Sequence, residues 1–450
     1  MSALSMDEAI ARSKAVEAVV VGSGVVRDAG AIFKQHFGDG PALLFADDNT
    51  FRAAGEATRE AFAAAGIATR WHILPASPRP KPSVALAETL QAVLAPGETP
   101  VAIGSGVLND VVKYAAFKAE RPYMVVATAA SMDGYTSAGA PLSVDGFKMT
   151  IQCKPARVLL ADLEILTAAP PDMAGWGFGD LAGKVPAGGD WIIADALGVE
   201  PIDDVAWPLV QTDLKRRLDA AEAVGRAEPD AIAELFEGLT LVGLAMELHD
   251  SSRPASGADH QIAHLWEMEG LSQDGEVVSH GSCVSVATMA TTRLFDWVIG
   301  QDLTDLDVDA LVADAPDLAA KERMMEAAFG KGEIVNRSMD ETAQKHADGE
   351  ALRRRLVRIV ETWPALCQRL HDHLLRADTI ADRLRAAGAP IEAADIGVTA
   401  DHLWQTVLSA RFMRSRYTIL DLLDEAGLLP QAMEAVFARP DGVMAKGSAR

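Results

Sequence analysis

Cysteine is scarce in this chain: three in 450 residues, at positions 153, 283 and 367, with no CxxC pair. Neither a disulfide framework nor a zinc knuckle can be built from that set, and it suits a reducing compartment. Long apolar runs are missing as well, since none approaches the ~20 residues that a membrane helix needs. The N-terminus carries Asp7 and Glu8 where a secretory signal peptide carries bases, and its apolar stretch at 19–26 is short and broken by glycines. We therefore expect a cytoplasmic protein with no membrane insertion. Positive charge is in short supply too: 41 Lys and Arg stand against 64 Asp and Glu, a formal net charge of -23, which repels nucleic acid in the absence of a basic patch. The densest basic run, Arg353, Arg354 and Arg355, is flanked by the periodic apolar set Leu352, Leu356 and Ile359, and reads as a solvated helix face. Internal repeats and low-complexity segments are absent.

What is present is apolar material, 49% of the residues, enough for two domains with their own cores. The first third alternates short strand-like runs with helix-like segments, the pattern of a parallel sheet covered by helices. Strands are expected at 18–21, 42–46, 70–74, 101–103, 124–127 and 158–161. After Pro170 and Pro171 the spacing changes to three and four; Ile232, Leu235, Leu239, Val242 and Met246 follow Pro229 and Asp230, a reasonable helix start. The expected architecture is an α/β, Rossmann-like parallel-sheet domain over 1–168, then an all-α helical domain over 169–441. Residues 442–450 read as a frayed tail.

Two glycine turns compete as phosphate sites. Gly22-Ser23-Gly24 lacks the third glycine of the dinucleotide fingerprint. Gly104-Ser105-Gly106 is better placed, because it follows the apolar run 101–103 and opens a helix near Val107, where backbone N–H groups could cradle a pyrophosphate. The run 42–46 ends in Asp47 and Asp48, where a parallel sheet presents a carboxylate to an adenosine ribose hydroxyl; this leans toward NAD over NADP, although paired acids also occur in plain turns. After the run ending at Ala127 comes the segment Thr128, Ala129, Ala130, Ser131, Met132, Asp133 and Gly134, small hydroxyl residues around one acid at a strand's carboxyl end, the edge at which such sheets bind ligands.

A catalytic divalent-metal site takes three protein ligands and leaves a position open, which directs attention to one acid and two histidines. His260 and His264 lie one helical turn apart on one face. Gln261 stands where the zincin helix has its glutamate base, so a metalloprotease fails on its own chemistry. His280 follows sixteen residues after His264, before Gly281 at another helix start. Asp180 lies in a glycine-rich approach to a helix on which it is expected to share a face with Lys184, a spacing also common to surface ion pairs. His371 and His373 beside Asp372 read as a solvated group.

The stretches LLFADDNT, GSGVLNDVVKYAA, TAASMDGYTSAGAP, GFGDLAGK, SGADHQIAHLWEM and SHGSCVSVA run in one order from residue 43 to residue 287, with a weaker RFMRSRYTILDLL beyond. With them the chain resembles the sn-glycerol-1-phosphate dehydrogenases of the iron-containing alcohol dehydrogenase superfamily, whose fold is shared by dehydroquinate synthase. Motif by motif, the resemblance implies a pyrophosphate at Gly104, Ser105, Gly106, Val107 and Leu108, with Thr128, Ser131 and Ser137 also on the cofactor. Ser105 stands where the family often has glycine. Asp180, His260 and His280 would hold one divalent cation, zinc, nickel or iron in different members. Asp133 and His264 would face substrate, with His264 relaying the proton released when a substrate hydroxyl loses hydride to NAD or NADP. Lys184 and Lys148 are placed by position to meet a substrate phosphate. The implied reaction interconverts dihydroxyacetone phosphate and sn-glycerol 1-phosphate in a homo-oligomer. A dehydrogenase of an unphosphorylated polyol, a cyclising lyase like dehydroquinate synthase, and a non-catalytic descendant are the other readings; three intact ligands and an intact glycine turn argue against the last.

Overall fold

The computed structural model describes residues 4–144 and 147–437, without the side chains of Phe147 and Lys148. Among the described residues of the first 162 there are eight strands: β1 Ala18–Gly22, β2 Ala42–Asp47, β3 Thr69–Leu74, β4 Thr99–Gly104, β5 Met124–Ala127, β6 Ala140–Val144, β7 Phe147–Ile151 and β8 Val158–Asp162. Two-residue strands β9 (Ser272–Gln273) and β10 (Glu276–Val277) form one antiparallel ladder among the later helices. Seven helices carry the argument: α1 Gly106–Lys118, α2 Pro171–Ala182, α3 Lys184–Ala196, α4 Pro229–His249, α5 Ala258–Met268, α6 His280–Ile299 and α7 Gly349–His373. Among the described residues no helix is long and apolar enough to cross a membrane, and the three cysteines are free.

The chain divides into two compact units. One takes the described residues up to Ala182, then Asp203–Ala255 and Arg383–Ala389; the other takes Gly183–Ile202, Ser256–Asp382 and the described residues from Pro390. The sheet therefore shares its unit with α2 and α4, whereas the sequence-drawn boundary lies at 168. The tail expected at 442–450 is outside the described residues.

In the first unit all six expected strands form one parallel sheet, in the order β1-β8-β5-β4-β2-β3. Both faces of its middle are covered, which is why β2, β4, β5 and β8 are apolar without alternation. On one face Leu44, Ala46, Val101, Ile103, Met124, Val126, Val158 and Leu160 pack with Phe33 and Phe62. Successive side chains of a strand alternate faces, so these positions are spaced by two. The chain leaves β2 outward to β3 and leaves β4 inward to β5, so β2 and β4 flank a reversal of strand order. Their carboxyl ends, Asp47 and Gly104, thus border the kind of crevice where open α/β sheets bind ligands.

Helix α4 begins with Pro229 at its first position and buries Ile232, Leu235, Leu239, Val242 and Met246, the expected stripe. Helix α2 lies close to the backbone after β5, because Gly177 has no side chain: a Cβ there would be 1.9 Å from the Ala130 carbonyl oxygen.

In the second unit α6 is buried along most of its length, and α7 buries Leu352, Leu356 and Ile359 as expected. The adjacent basic run is only partly the solvated face anticipated. Arg354 is exposed, but Arg355 is 15% exposed, pairs with Glu425 and lies over the Tyr417 ring. Burial pushes the Glu425 carboxyl up, against the pull of Arg355. His371 is exposed, whereas the His373 ring donates from Nε2 to the Val185 carbonyl.

Adding a methyl group at Gly177 forces backbone apart in a close-packed region, a perturbation that costs roughly 1–3 kcal/mol. Gly177→Ala is expected to lower the unfolding free energy of the purified protein by that amount, read in urea as a lower midpoint at an unchanged m-value.

Candidate active site

The first unit presents two turns that looked alike in sequence, and hydrogen bonding separates them. At Gly22-Ser23-Gly24 the donors are already committed: Asp162 accepts Gly24 N–H at 3.0 Å and Val26 N–H at 2.9 Å, and Ser23 Oγ donates to Glu164. A carboxylate of the chain itself takes the anion's place there. At Gly104-Ser105-Gly106 the helix α1 starts with no side chain capping it, and Ser105, Gly106 and Val107 are partly exposed. Gly104 is required for packing as well, since a Cβ would be 2.6 Å from Leu108 Cδ1. Asp47, at the end of β2, uses Oδ1 to accept the N–H groups of Asn49 and Thr50, so this carboxylate also caps the turn that follows it.

The segment after β5 is buried from Thr128 to Ser131, and Asp133 and Ser137 are buried too. Its backbone is tied down by groups the sequence did not single out. Lys113 of α1 is fully buried, and its Nζ donates to the carbonyls of Gly134 at 2.7 Å, Ser137 at 3.0 Å and Gly139 at 2.9 Å. Burial pulls the Lys113 ammonium down and Asp110 pulls it back up. Ser137 Oγ donates to Gly134 O, Tyr135 Oη to Ala129 O, and Thr136 Oγ1 to Thr240 O on α4. Asp133 N–H donates to Asp180 Oδ2 at 3.0 Å, bringing together two of the expected site residues. Cys153 is near Lys113, but burial pushes its thiol up to about 11, so it is no nucleophile at neutral pH.

Asp180 lies on α2 and Lys184 opens α3. Helix α2 ends at Ala182 and α3 begins at Lys184, because Pro186 has no N–H to donate to the Ala182 carbonyl four residues back. Asp180 belongs to the first unit and Lys184 to the second. Lys184 is fully buried with its Nζ 3.4 Å from His260 Nε2. The Lys148 side chain lies outside the described residues.

The second unit gathers His260 and His264 from α5 with His280 from the first position of α6; their ring centroids are 5.5–6.0 Å apart, and His264 and His280 are stacked at 19°. Each ring is held at Nδ1 by a carboxylate. His260 Nδ1 is 2.5 Å from Asp259 Oδ2, His264 Nδ1 is 2.7 Å from Glu267 Oε2, and His280 Nδ1 is 2.8 Å from Glu267 Oε1. An ionised carboxylate only accepts, so each Nδ1 carries the proton and each Nε2 the lone pair. His264, Glu267 and His280 are close enough to hold an ion between them, yet the Glu267 oxygens are already accepting from the two rings. Helix α5 is itself anchored by buried Asp190, which accepts Ala258 N–H at 2.7 Å and, through its other oxygen, Ile419 N–H at 2.6 Å.

Of these supporting residues, Glu267 was legible: three positions after His264, it shares that helix face. Lys113 lies inside a quoted motif but carries no sign of which carbonyls it serves. Asp190 has no local signal. Lys113→Met leaves three buried carbonyls without their donor; with about 1–3 kcal/mol at stake for each unsatisfied group, the thermal unfolding midpoint of that variant should fall by several degrees or more in a calorimeter.

Comparison with known proteins places this geometry in a family. The family model described as iron-containing alcohol dehydrogenase matches residues 9–170. The glycerol-1-phosphate dehydrogenase (NAD(P)+) of Bacillus subtilis is 30% identical over 386 residues, 85% of each chain. That of Bacillus licheniformis is 31% identical over 330 residues, 73% of this chain and 69% of the relative. The glycerol dehydrogenase of Schizosaccharomyces pombe shares the fold at a TM-score of 0.57 and 13% identity, over 93% of this chain and 90% of that one. The NADH-dependent butanol dehydrogenase A of Thermotoga maritima shares it at 0.55 and 15% identity, over 91% and 96%. The chain belongs to the glycerol-1-phosphate dehydrogenase family within the iron-containing alcohol dehydrogenases.

Proposed function

We propose that this protein is a metal-dependent dehydrogenase that interconverts dihydroxyacetone phosphate and sn-glycerol 1-phosphate with NAD or NADP. The observation that carries the reading is the histidine group of α5 and α6, with every Nδ1 proton taken by a carboxylate. That is how proteins prepare imidazoles to act through Nε2. Residues 1–168 would serve the nucleotide and 169–441 the metal.

In this reading Asp180, His260 and His280 hold one divalent cation. The donor set, one oxygen and two imidazole nitrogens, fits zinc, nickel or iron without choosing among them. A cation held there would supply a Lewis acid for the substrate's reacting oxygen, and the nicotinamide would supply hydride exchange. The remaining work falls to the chain's own groups. His264 offers its Nε2 lone pair to the proton of the substrate hydroxyl. Asp133 is the polar partner on the substrate's side, its backbone fixed by Asp180. Buried Lys184 supplies positive charge for the phosphate. The pyrophosphate meets the N-terminus of α1 at Gly104, Ser105, Gly106, Val107 and Leu108, with Thr128, Ala129, Ala130, Ser131 and Ser137 lining the cofactor, and Asp47 at its adenosine ribose, where a carboxylate disfavours a 2′-phosphate. The same reading takes the enzyme as a cytoplasmic homo-oligomer without nucleic-acid partners, in keeping with the net charge of -23; light scattering tests the assembly.

NADH oxidation followed at 340 nm by the metal-analysed protein tests the reaction. Turnover is expected with dihydroxyacetone phosphate but not with dihydroxyacetone, to cease with a strong chelator and to return on adding zinc, nickel or iron. Turnover of the unphosphorylated ketone alone would move the substrate to free polyols, and cofactor binding without net NADH consumption would point to a redox-neutral cyclisation. His260→Ala should keep its fold by circular dichroism while losing its metal, with turnover down on the order of 100-fold or more.

A further inference from the structure

One carboxylate in the second unit serves two imidazoles with different tasks. Glu267, on the last turn of α5, accepts from His264 Nδ1 through Oε2 and from His280 Nδ1 through Oε1, at 2.7 and 2.8 Å. Its side chain is 7% exposed, and the two rings it serves are stacked 5.6 Å apart. Asp259 performs the equivalent task for His260 alone. Glu267 is therefore shared, and its chemistry restricts what can replace it. A carboxylate has two acceptor oxygens and can satisfy two N–H donors at once; an amide of the same shape has one acceptor and one donor. With glutamine in this place, one ring keeps its Nδ1 proton while the other faces an NH2 group and turns its proton to Nε2.

We propose that Glu267 is a positioning residue that holds His264 and His280 in the Nδ1–H tautomer together, and so couples the nitrogen that ligates the cation to the nitrogen that receives the substrate proton. The proposal rests on the reading of His280 as a ligand and His264 as the proton relay. A histidine with its proton on Nε2 can neither ligate through that nitrogen nor accept a proton there. The two tasks thus depend on one side chain that touches neither substrate nor cation. The linkage is local: His264 is one turn before Glu267 on α5, and His280 begins α6, so the carboxylate also ties the two helices at their histidine ends.

The test uses the full chain labelled with 15N at its ten histidines, with ring signals assigned by single substitutions. In the unaltered protein His264 and His280 are expected as Nδ1–H tautomers. In Glu267→Gln one of the two switches to Nε2–H, and zinc retention against a chromophoric chelator falls by about 10- to 100-fold if that ring is His280. If it is His264, zinc is retained and kcat for oxidation of sn-glycerol 1-phosphate falls instead, with KM for that substrate little changed. The double variant His264→Phe with Glu267→Gln removes the competing ring, so the amide oxygen serves His280 and zinc retention matches that of His264→Phe alone. Should E267Q not fold, Glu267→Asp carries the comparison, its shorter stem reaching one ring and not both. Two unchanged tautomers in E267Q, or a switched tautomer with zinc retention and kcat both unaltered, would overturn the proposal. A zinc affinity in His260→Ala equal to that of the unaltered protein would instead sink the metal assignment, and the tautomer measurement would still decide the part played by Glu267.

Discussion

An imidazole can ligate a cation or take up a proton only through a nitrogen that has no proton of its own, and in water the two ring nitrogens exchange that role freely. The second unit of this protein removes the freedom. Asp259 and Glu267 accept from Nδ1 of three histidines, which puts three lone pairs on the Nε2 side. This arrangement depends on the rest of the fold in a specific way. Helix α5 must start where it does, and buried Asp190 caps it there; α6 must begin with His280, and Ser279 caps it by accepting Ser282 N–H. Packing brings the helices together, and the carboxylates then decide what the rings can do.

The first unit solves a different problem with the same materials. In the proposed reading it offers a place where an anion meets backbone donors, and two turns in it have the composition. One is closed by Asp162. The other stands at the reversal of strand order, and its glycine is demanded by Leu108 before any ligand is considered. The loop beside it would be mobile if left to water, because it is rich in small residues; Lys113 holds three of its carbonyls from the interior instead. A buried ammonium is costly, and three good acceptors offset the cost.

Much of this was legible in the residues. All six sheet strands were found within two residues of their ends, since a parallel sheet covered on both faces requires short unbroken apolar runs, and the stripe of α4 appeared at its period. The histidines were visible as a spacing, although HxxxH alone left open which ring ligates. The reading that failed did so for a long-range cause: Arg355 was read as solvated with its neighbours, but Glu425 and Tyr417 lie seventy and sixty-two positions away.

The sequence by itself determined what propensity and periodicity express locally: a parallel sheet followed by helices, a glycine turn after the fourth strand, and an acidic chain without disulfides. Family motifs added the chemistry. Only the tertiary structure decided which of two similar turns keeps its donors, which carbonyls Lys113 serves, and that one glutamate holds two histidines. Each of those is a hydrogen bond between groups whose spacing along the chain carries no mark of their meeting, and its geometry is set by packing.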